Sequence, residues 1–337
     1  MALKEEVKQV KKLFGELTFD TFYLGGGTPS LLTSTEIKEI ILFLREEFDF
    51  QDNFEFSIEV NPEDVTREKV LMYHQLGVNR VSVGSQSFNN DLLRQMGRLH
   101  TPDQIKSAVQ LFQQTGIDNI SSDLIIKLPK QTLEDVRCSL ESLNQLNVSQ
   151  VSVYDLDVHP YTVFGVMKRK GTLELPNEDL HFEMARLVED FLMSNGYHRY
   201  EIMNFAKPGY ESKHNLIYWN NQEYIGLGPG AYSYKNGLRY QFSKTVNQYL
   251  DKCLNHHWDN EVEDKISSER KEYENLMTGL RLSQGVQIEQ FKEIKDKLTE
   301  KIKILVDNDF LKLENNRISL TQKGRFIFES LFVDLLD

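Results

Sequence analysis

Phe22-Tyr23-Leu24-Gly25-Gly26-Gly27-Thr28-Pro29 is a short β-type run that ends on three consecutive glycines. A helical pattern follows at once. Thr33 with Glu36 three residues on is a capping-box signal, and Ile37, Ile40, Ile41, Leu44 and Phe48 then recur at helical spacing. The next run alternates: Phe54, Phe56, Ile58 and Val60 fall on one side, and Glu55, Ser57 and Glu59 on the other. A strand, a helix and a second strand in this order make one β/α unit.

The same rhythm continues outward. Thr66 caps a short helix that stops at Gly77, and Val78, Val81 and Val83 mark a third strand. Asn119 to Ile126 reads as a fourth strand and Val151 to Leu156 as a fifth, with helices over 102–115 and 132–146 between them. Strands separated by helices of this length predict a parallel sheet. No GxGxxG fingerprint accompanies it, which favours a barrel, or part of one, over a dinucleotide-binding fold. The expected class is α/β, a partial β/α (TIM-like) barrel with a C-terminal helical, winged-helix-like domain.

That last domain is read from the other end of the chain. After Pro160 the β/α rhythm loosens, although a strong helix is expected over 178–195. An aromatic-rich stretch runs from His198 to Tyr240, and the acidic stretch Asp259 to Asp264 reads as a boundary. From Ser267 helical patterns precede two β-type runs that flank Asn315-Asn316, a hairpin-turn pair, and Thr321 opens a final helix. The expected domains are 1–258 and 267–337. Ser268 to Asp337 carries 12 Lys and Arg against 13 Asp and Glu, a balance that argues against DNA binding.

Composition narrows the function classes. The 337 residues carry a net charge of −12, the wrong sign for a broad nucleic-acid footprint. No apolar run approaches the ~20 residues of a membrane-spanning helix. Met1 to Phe14 has alternating charges and no apolar signal-peptide core, so a cytoplasmic location is expected. Cys138 and Cys253 are the two cysteines, too few and too far apart for a disulfide framework or a cysteine-ligated metal site.

In a β/α barrel, functional residues gather at the C-terminal ends of the strands. Those ends carry Gly25-Gly26-Gly27-Thr28-Pro29, then Glu59 with Asn61-Pro62, then Gly84-Ser85-Gln86, then Asp123, then Tyr154 and Asp155. A glycine run lets a ligand approach the backbone. Carboxylates can accept an ammonium group or ribose hydroxyls, and Arg98, a helix beyond the third strand, suits a carboxylate. Together they would hold a small zwitterion bearing a ribose. Taken singly, each has an ordinary structural explanation, a tight turn or a solvated strand position.

These residues carry a resemblance. Gly25-Gly26-Gly27-Thr28-Pro29-Ser30, Glu59-Val60-Asn61-Pro62, Gln86-Ser87-Phe88, Gly97-Arg98 and Asp123-Leu124-Ile125 closely resemble the radical S-adenosylmethionine family. The match is to proteins like oxygen-independent coproporphyrinogen III oxidase. His214-Asn215-Leu216-Ile217-Tyr218-Trp219 resembles the HNxxYW motif of that group's heme chaperone branch. The resemblance implies that Gly26, Gly27 and Thr28 meet the methionine end of S-adenosylmethionine, and that Glu59, Gln86, Arg98 and Asp123 contact the rest. It implies a heme site at His214, Asn215, Tyr218 and Trp219, and heme-accepting proteins as partners, membrane-associated ones included. Cys253, His256 and His257 are the other candidate heme ligands.

The chain departs from the family in one major respect. The motif CxxxCxxC, whose thiolates hold a [4Fe–4S] cluster upstream of the glycine run, is absent. Two explanations stand: a shortened form of a cluster-binding protein, or a cluster-free member. Lesser departures are Lys127 for a usual Gly, Asp157 and His159 for Thr and Glu, and Tyr232 for His. The functions in competition are a heme chaperone, a radical enzyme decarboxylating a porphyrinogen propionate, and an inactive remnant.

Overall fold

The computed structural model describes residues 1–256 and 261–336. In chain order the first part runs α1 (Ala2–Phe14), β1 (Thr18–Leu24), α2 (Ser34–Glu47), β2 (Asp49–Val60), α3 (Arg67–Gln75), β3 (Arg80–Gln86), α4 (Asn90–Gln95), α5 (Pro102–Gln114), β4 (Asn119–Ile126), α6 (Leu133–Leu146) and β5 (Gln150–Asp155). Then come α7 (Val163–Arg169), α8 (Glu178–Ser194), β6 (His198–Glu201), β7 (Asn204–Ala206), α9 (Lys213–Trp219), β8 (Tyr232–Lys235), β9 (Leu238–Gln241) and α10 (Val246–Leu254). The rest is β10 (Glu261–Lys265), α11 (Ser268–Arg281), β11 (Val286–Gln287), α12 (Lys295–Asp307), β12 (Leu311–Glu314), β13 (Arg317–Leu320), α13 (Gln322–Phe326) and α14 (Phe328–Leu336).

Seven strands form a curled half-barrel sheet in the order β1-β2-β3-β4-β5-β7-β6. The chain divides into two compact units, one of residues 23–38 and 55–211, the other of residues 1–22, 39–54 and 212–337.

In the first unit β2, β3, β4 and β5 pair in parallel, as the strand–helix alternation predicts, and β7 and β6 close the sheet antiparallel. One face of these strands is apolar. Ile58, Val60, Val81, Val83, Ile120, Leu124 and Val151 are buried on it, and α5 and α6 pack over β3 and β4 with Ile105, Val109, Phe112, Val136 and Leu140. Each such side chain contributes about 1.5–3 kcal/mol by leaving water. Thr101 and Thr132 open these helices with complete capping boxes.

The opposite face is mostly polar. Arg80 Nη2 donates to Gln150 Oε1 at 2.7 Å, Ser121 and Ser152 hydroxyls lie 3.1 Å apart, and Ser82 Oγ donates to Asp123 Oδ1 at 3.1 Å. Glu55, Ser57, Arg80 and Ser82 are all buried. The residues alternating with the apolar side of β2 are therefore the interior of the half-barrel and not a solvated edge. Most of these buried polar groups pair with one another, while Arg80 Nε and Gln150 Nε2 are buried without a hydrogen-bond partner.

In the second unit Val7 and Val10 of α1 join Leu44 and Phe48 in a core flanked by Phe14, Phe19 and Phe50. Gly15, at φ 71°, ends α1. Glu6, buried on α1, accepts from the Gly228 backbone N–H and the Tyr249 hydroxyl, both at 2.8 Å. Burial raises its carboxyl. Strands β8, β9 and β10 form one antiparallel sheet. The acidic stretch read as a boundary thus contains a strand from Glu261 onward, because its alternating residues find an open edge on β9; Asp259 lies outside the described residues.

At the C-terminal end, β12 and β13 form the expected hairpin, with β11 added on the far side of β13. Asn315 and Asn316 both take positive φ, 51° and 59°, as a two-residue hairpin turn requires. With α11, α12, α13 and α14 around this small sheet, the region is helical and winged-helix-like. No helix among the described residues is long and apolar enough to cross a membrane.

Candidate functional site

The strand ends of the first unit enclose a cavity of about 270 Å³. Gly27, Thr28, Glu59, Gln86, Arg98 and Asp123, six of the seven residues selected from sequence for the cofactor, line it. Gly26 does not line it, but its backbone N–H donates to Glu59 Oε2 at 3.3 Å. Asn61, Ser82, Gly84 and Tyr154 also line it, with Pro29 and Val60.

Glu59 is held on both oxygens. Tyr23 donates its phenolic proton to Oε1 at 2.6 Å, and burial with the Glu59 charge drives the Tyr23 hydroxyl far above its ordinary pKa. The ring of Tyr23 lies so close under the glycine run that a Cβ on Gly25 would come within 2.4 Å of it. Glycine is required there for that approach. Asp123 sits deeper on β4. Burial pushes its carboxyl up to about 6, against the opposing effect of the Ser82 hydrogen bond.

Gln86 occupies an unusual backbone position. Its φ is 64°, and Ser87 N–H donates to the Ser85 carbonyl at 2.7 Å, closing a three-residue turn around it. A non-glycine residue in such a turn costs about 1–3 kcal/mol, and strain of this kind gathers at functional sites. The β3–β4 ladder shifts register between Val83 and Gln86, which turns the strand end toward the cavity.

The set of groups is two carboxylates, two amides, one guanidinium, several hydroxyls and exposed backbone N–H groups. It suits a ligand with a positive charge, hydroxyls and a carboxylate. S-Adenosylmethionine, implied by the sequence resemblance, has all three. The chain's residues do not fit a [4Fe–4S] cluster. Cys138 is exposed on α6 of one unit and Cys253 is buried on α10 of the other. Among the described residues no three His, Cys, Asp or Glu side chains are grouped to hold a metal ion.

The four residues selected for heme lie on α9, a seven-residue helix capped by Ser212. His214 Nδ1 is 2.8 Å from Thr21 Oγ1, and its ring meets Tyr218 edge-on at 5.1 Å. Tyr218 continues to Tyr224 at 4.5 Å, and burial pushes its hydroxyl up to about 12. Trp219 is placed elsewhere. The Arg281 guanidinium lies 4.2 Å from its ring centre, and the indole borders a second cavity with Asn275 and Thr278. Asn215 contributes its backbone N–H to the Ser212 cap. The helix thus brings His214 and Tyr218 together, one turn apart, and turns Trp219 to another face.

Cys253 is fully buried with Phe242 and Tyr249, not exposed as its polar surroundings suggest, and burial raises its thiol to about 11. His256 is exposed, and His257 lies outside the described residues. Sequence reasoning missed Tyr23 and Ser82 as supports of the two carboxylates. Their contacts span 36 and 41 residues, and only the strand pairing reveals them.

The chain is similar to known proteins along most of its length. The Radical SAM superfamily profile matches residues 1–143, and the HemN C-terminal domain profile matches residues 266–327. Heme chaperone HemW of Lactococcus lactis is 37% identical over 93% of this chain and 85% of its own length. The HemW of Bacillus subtilis is 33% identical over 98% of this chain and 89% of its own. Coproporphyrinogen III oxidase (HemN) from Escherichia coli, a radical SAM enzyme, shares the fold at a TM-score of 0.83 and 22% identity, covering 99% of this chain and 81% of that chain.

Proposed function

The chain belongs to the heme chaperone HemW family of radical S-adenosylmethionine proteins, and from that premise we propose that it binds heme and passes it to acceptor proteins. The observation that carries this reading is the 37% identity to a heme chaperone that extends over 93% of the chain. In this reading His214 is the iron ligand, since imidazole is a common axial ligand. The rings of Tyr218 and Tyr224, tilted 58° to each other, give the macrocycle aromatic packing partners. Asn215 borders it, and Trp219 acts through its contact with Arg281, which holds α9 in place.

The strand-end cavity is proposed to hold S-adenosylmethionine, with Gly26, Gly27 and Thr28 at the methionine end and Glu59, Gln86, Asp123 and Arg98 around the rest. The carboxylates that Tyr23 and Ser82 hold in place support it. Bound there, the molecule supplies a sulfonium cation that the carboxylates neutralise. The protein's part is binding and orientation, and no cleavage step is assigned because the chain's own cysteines do not fit a cluster.

The division between residues 258 and 267 belongs to the same proposal, supported by the C-terminal domain match that begins at residue 266. So do a cytoplasmic place of work, in keeping with two free cysteines, and acceptors that include membrane-associated proteins.

The test is hemin titration of the purified chain, followed by mixing the loaded protein with a heme-free acceptor and following the Soret band. Saturable binding and transfer are expected, with His214→Ala shifting the Soret band. Absence of saturable binding would overturn the heme reading. Spectra of His214→Ala that match the parent would remove heme from α9.

A further inference from the structure

His100 lies two residues beyond Arg98 and immediately before Thr101, the cap of α5. Its side chain is wholly buried. Nε2 is 3.1 Å from the Ser85 carbonyl oxygen, and Nδ1 is 3.0 Å from Glu63 Oε2. A carbonyl oxygen only accepts, so Nε2 carries a proton. The carboxylate also accepts, so a bare Nδ1 would set two lone pairs against each other. Both contacts are satisfied at once when the ring carries two protons.

The two arms reach different parts of the cavity wall. The Ser85 carbonyl that receives Nε2 also receives Ser87 N–H, so one arm closes over the strained turn that presents Gln86. Glu63 stands two residues after Asn61 in the short turn Pro62–Asp64. Asp64 of that turn accepts from Ser30 Oγ at 2.7 Å, which ties it to the segment after the glycine run. Asn61, Gln86 and Arg98 all line the cavity. Each is within two residues of His100 or of a group that His100 touches.

We propose that His100 is a positioning residue, held as the imidazolium, that locks the Gln86 turn and the Asn61–Asp64 turn together and so sets the shape of the cofactor cavity. The inference rests on the reading of that cavity as the S-adenosylmethionine site. His100 touches no ligand itself. Its charge is neutralised by Glu63 inside the protein, which makes a buried cation tolerable.

The experiment uses the full chain labelled with ¹⁵N-histidine and two variants. His100→Gln keeps a donor where Nε2 stands, and His100→Asn keeps one where Nδ1 stands. Long-range ¹H–¹⁵N correlation at neutral pH should show both ring nitrogens of His100 protonated, the signal being assigned by its loss in either variant. S-Adenosylmethionine, titrated calorimetrically, should bind both His100→Gln and His100→Asn at least about tenfold more weakly than the parent, the equivalent of ~1.4 kcal/mol, because each cuts one of the two ties. A neutral ring with one bare nitrogen overturns the proposal. So does binding by either variant within about threefold of the parent. If the parent itself fails to bind S-adenosylmethionine, the cavity reading falls, and the nitrogen spectrum still decides the state of His100.

Discussion

Replacing Tyr23 by Phe removes one hydroxyl and leaves the ring beneath the glycine run in place. The lost contact is the 2.6 Å bond to Glu59 Oε1, a hydrogen bond to a charged acceptor. Such bonds contribute about 1.5–3 kcal/mol when buried. Glu59 is only half-buried, so water can replace part of the loss, and about 1–2 kcal/mol is expected to reach the ligand. That corresponds to an affinity for S-adenosylmethionine about 5- to 30-fold weaker. The Gly26 N–H, 3.3 Å from Oε2, remains as the second anchor, so binding should weaken without vanishing. Calorimetric titration of parent and Tyr23→Phe, beside S-adenosylhomocysteine as the analogue without sulfonium charge, measures it. The penalty should be larger for the charged ligand. Equal penalties for both ligands, or none for either, would refute the claim that Tyr23 acts through the Glu59 carboxylate.

Three further outcomes follow from other sites. Asp123 has its carboxyl raised to about 6, so between pH 4 and 6 the folded state binds more protons than the unfolded one, and stability falls as pH rises through that window. Asp123→Asn should remove this slope and gain about 1–3 kcal/mol at pH 7 with little gain at pH 4, read by urea unfolding; parallel curves for the two proteins would contradict it. Trp219→Ala should lower apo-protein stability by about 2 kcal/mol, through lost packing and the lost Arg281 contact, while leaving the Soret maximum of the heme complex unmoved. Anaerobic treatment of this chain with iron and sulfide should yield no stoichiometric [4Fe–4S] cluster by iron analysis and absorbance, and one cluster per chain would show that ligands other than the two cysteines suffice.

Local signals were legible because they are local. Thr66 and Thr321 cap their helices with their own hydroxyls, and Asn315-Asn316 takes the two positive φ values that its hairpin needs. The site was legible as a set because barrel geometry assigns strand ends to one rim, and six residues from separate strands and loops meet at one cavity. Long-range partners were not legible. Nothing near His100 announces Glu63, 37 residues away, and nothing near Tyr23 announces Glu59. Ser57 and Glu55 alternate with apolar neighbours as a solvated face would, and only the curl of the sheet makes that face an interior. Trp219 shows a different limit. Its five-residue separation from His214 on a helix turns the two side chains apart, a fact the motif spelling conceals.

The tie between Glu6 and the Gly228 loop gives this protein an internal gauge. α1 packs on α10, and Cys253 lies beneath that contact with Ala2, Phe242 and Tyr249. The only other thiol, Cys138, faces solvent. A maleimide reagent will therefore meet one thiol at once and the other only when the cover of Ala2, Phe242 and Tyr249 opens. In the regime where closing outruns labelling, the ratio of the two rates reports the free energy of that opening. Glu6→Leu, which cuts the tether to Gly228 and Tyr249 while putting an apolar side chain of similar size in the buried position, should accelerate the slow thiol and leave the fast one as it was. Two cysteines too few to bind a cluster are enough to time the opening of the contact between α1 and α10.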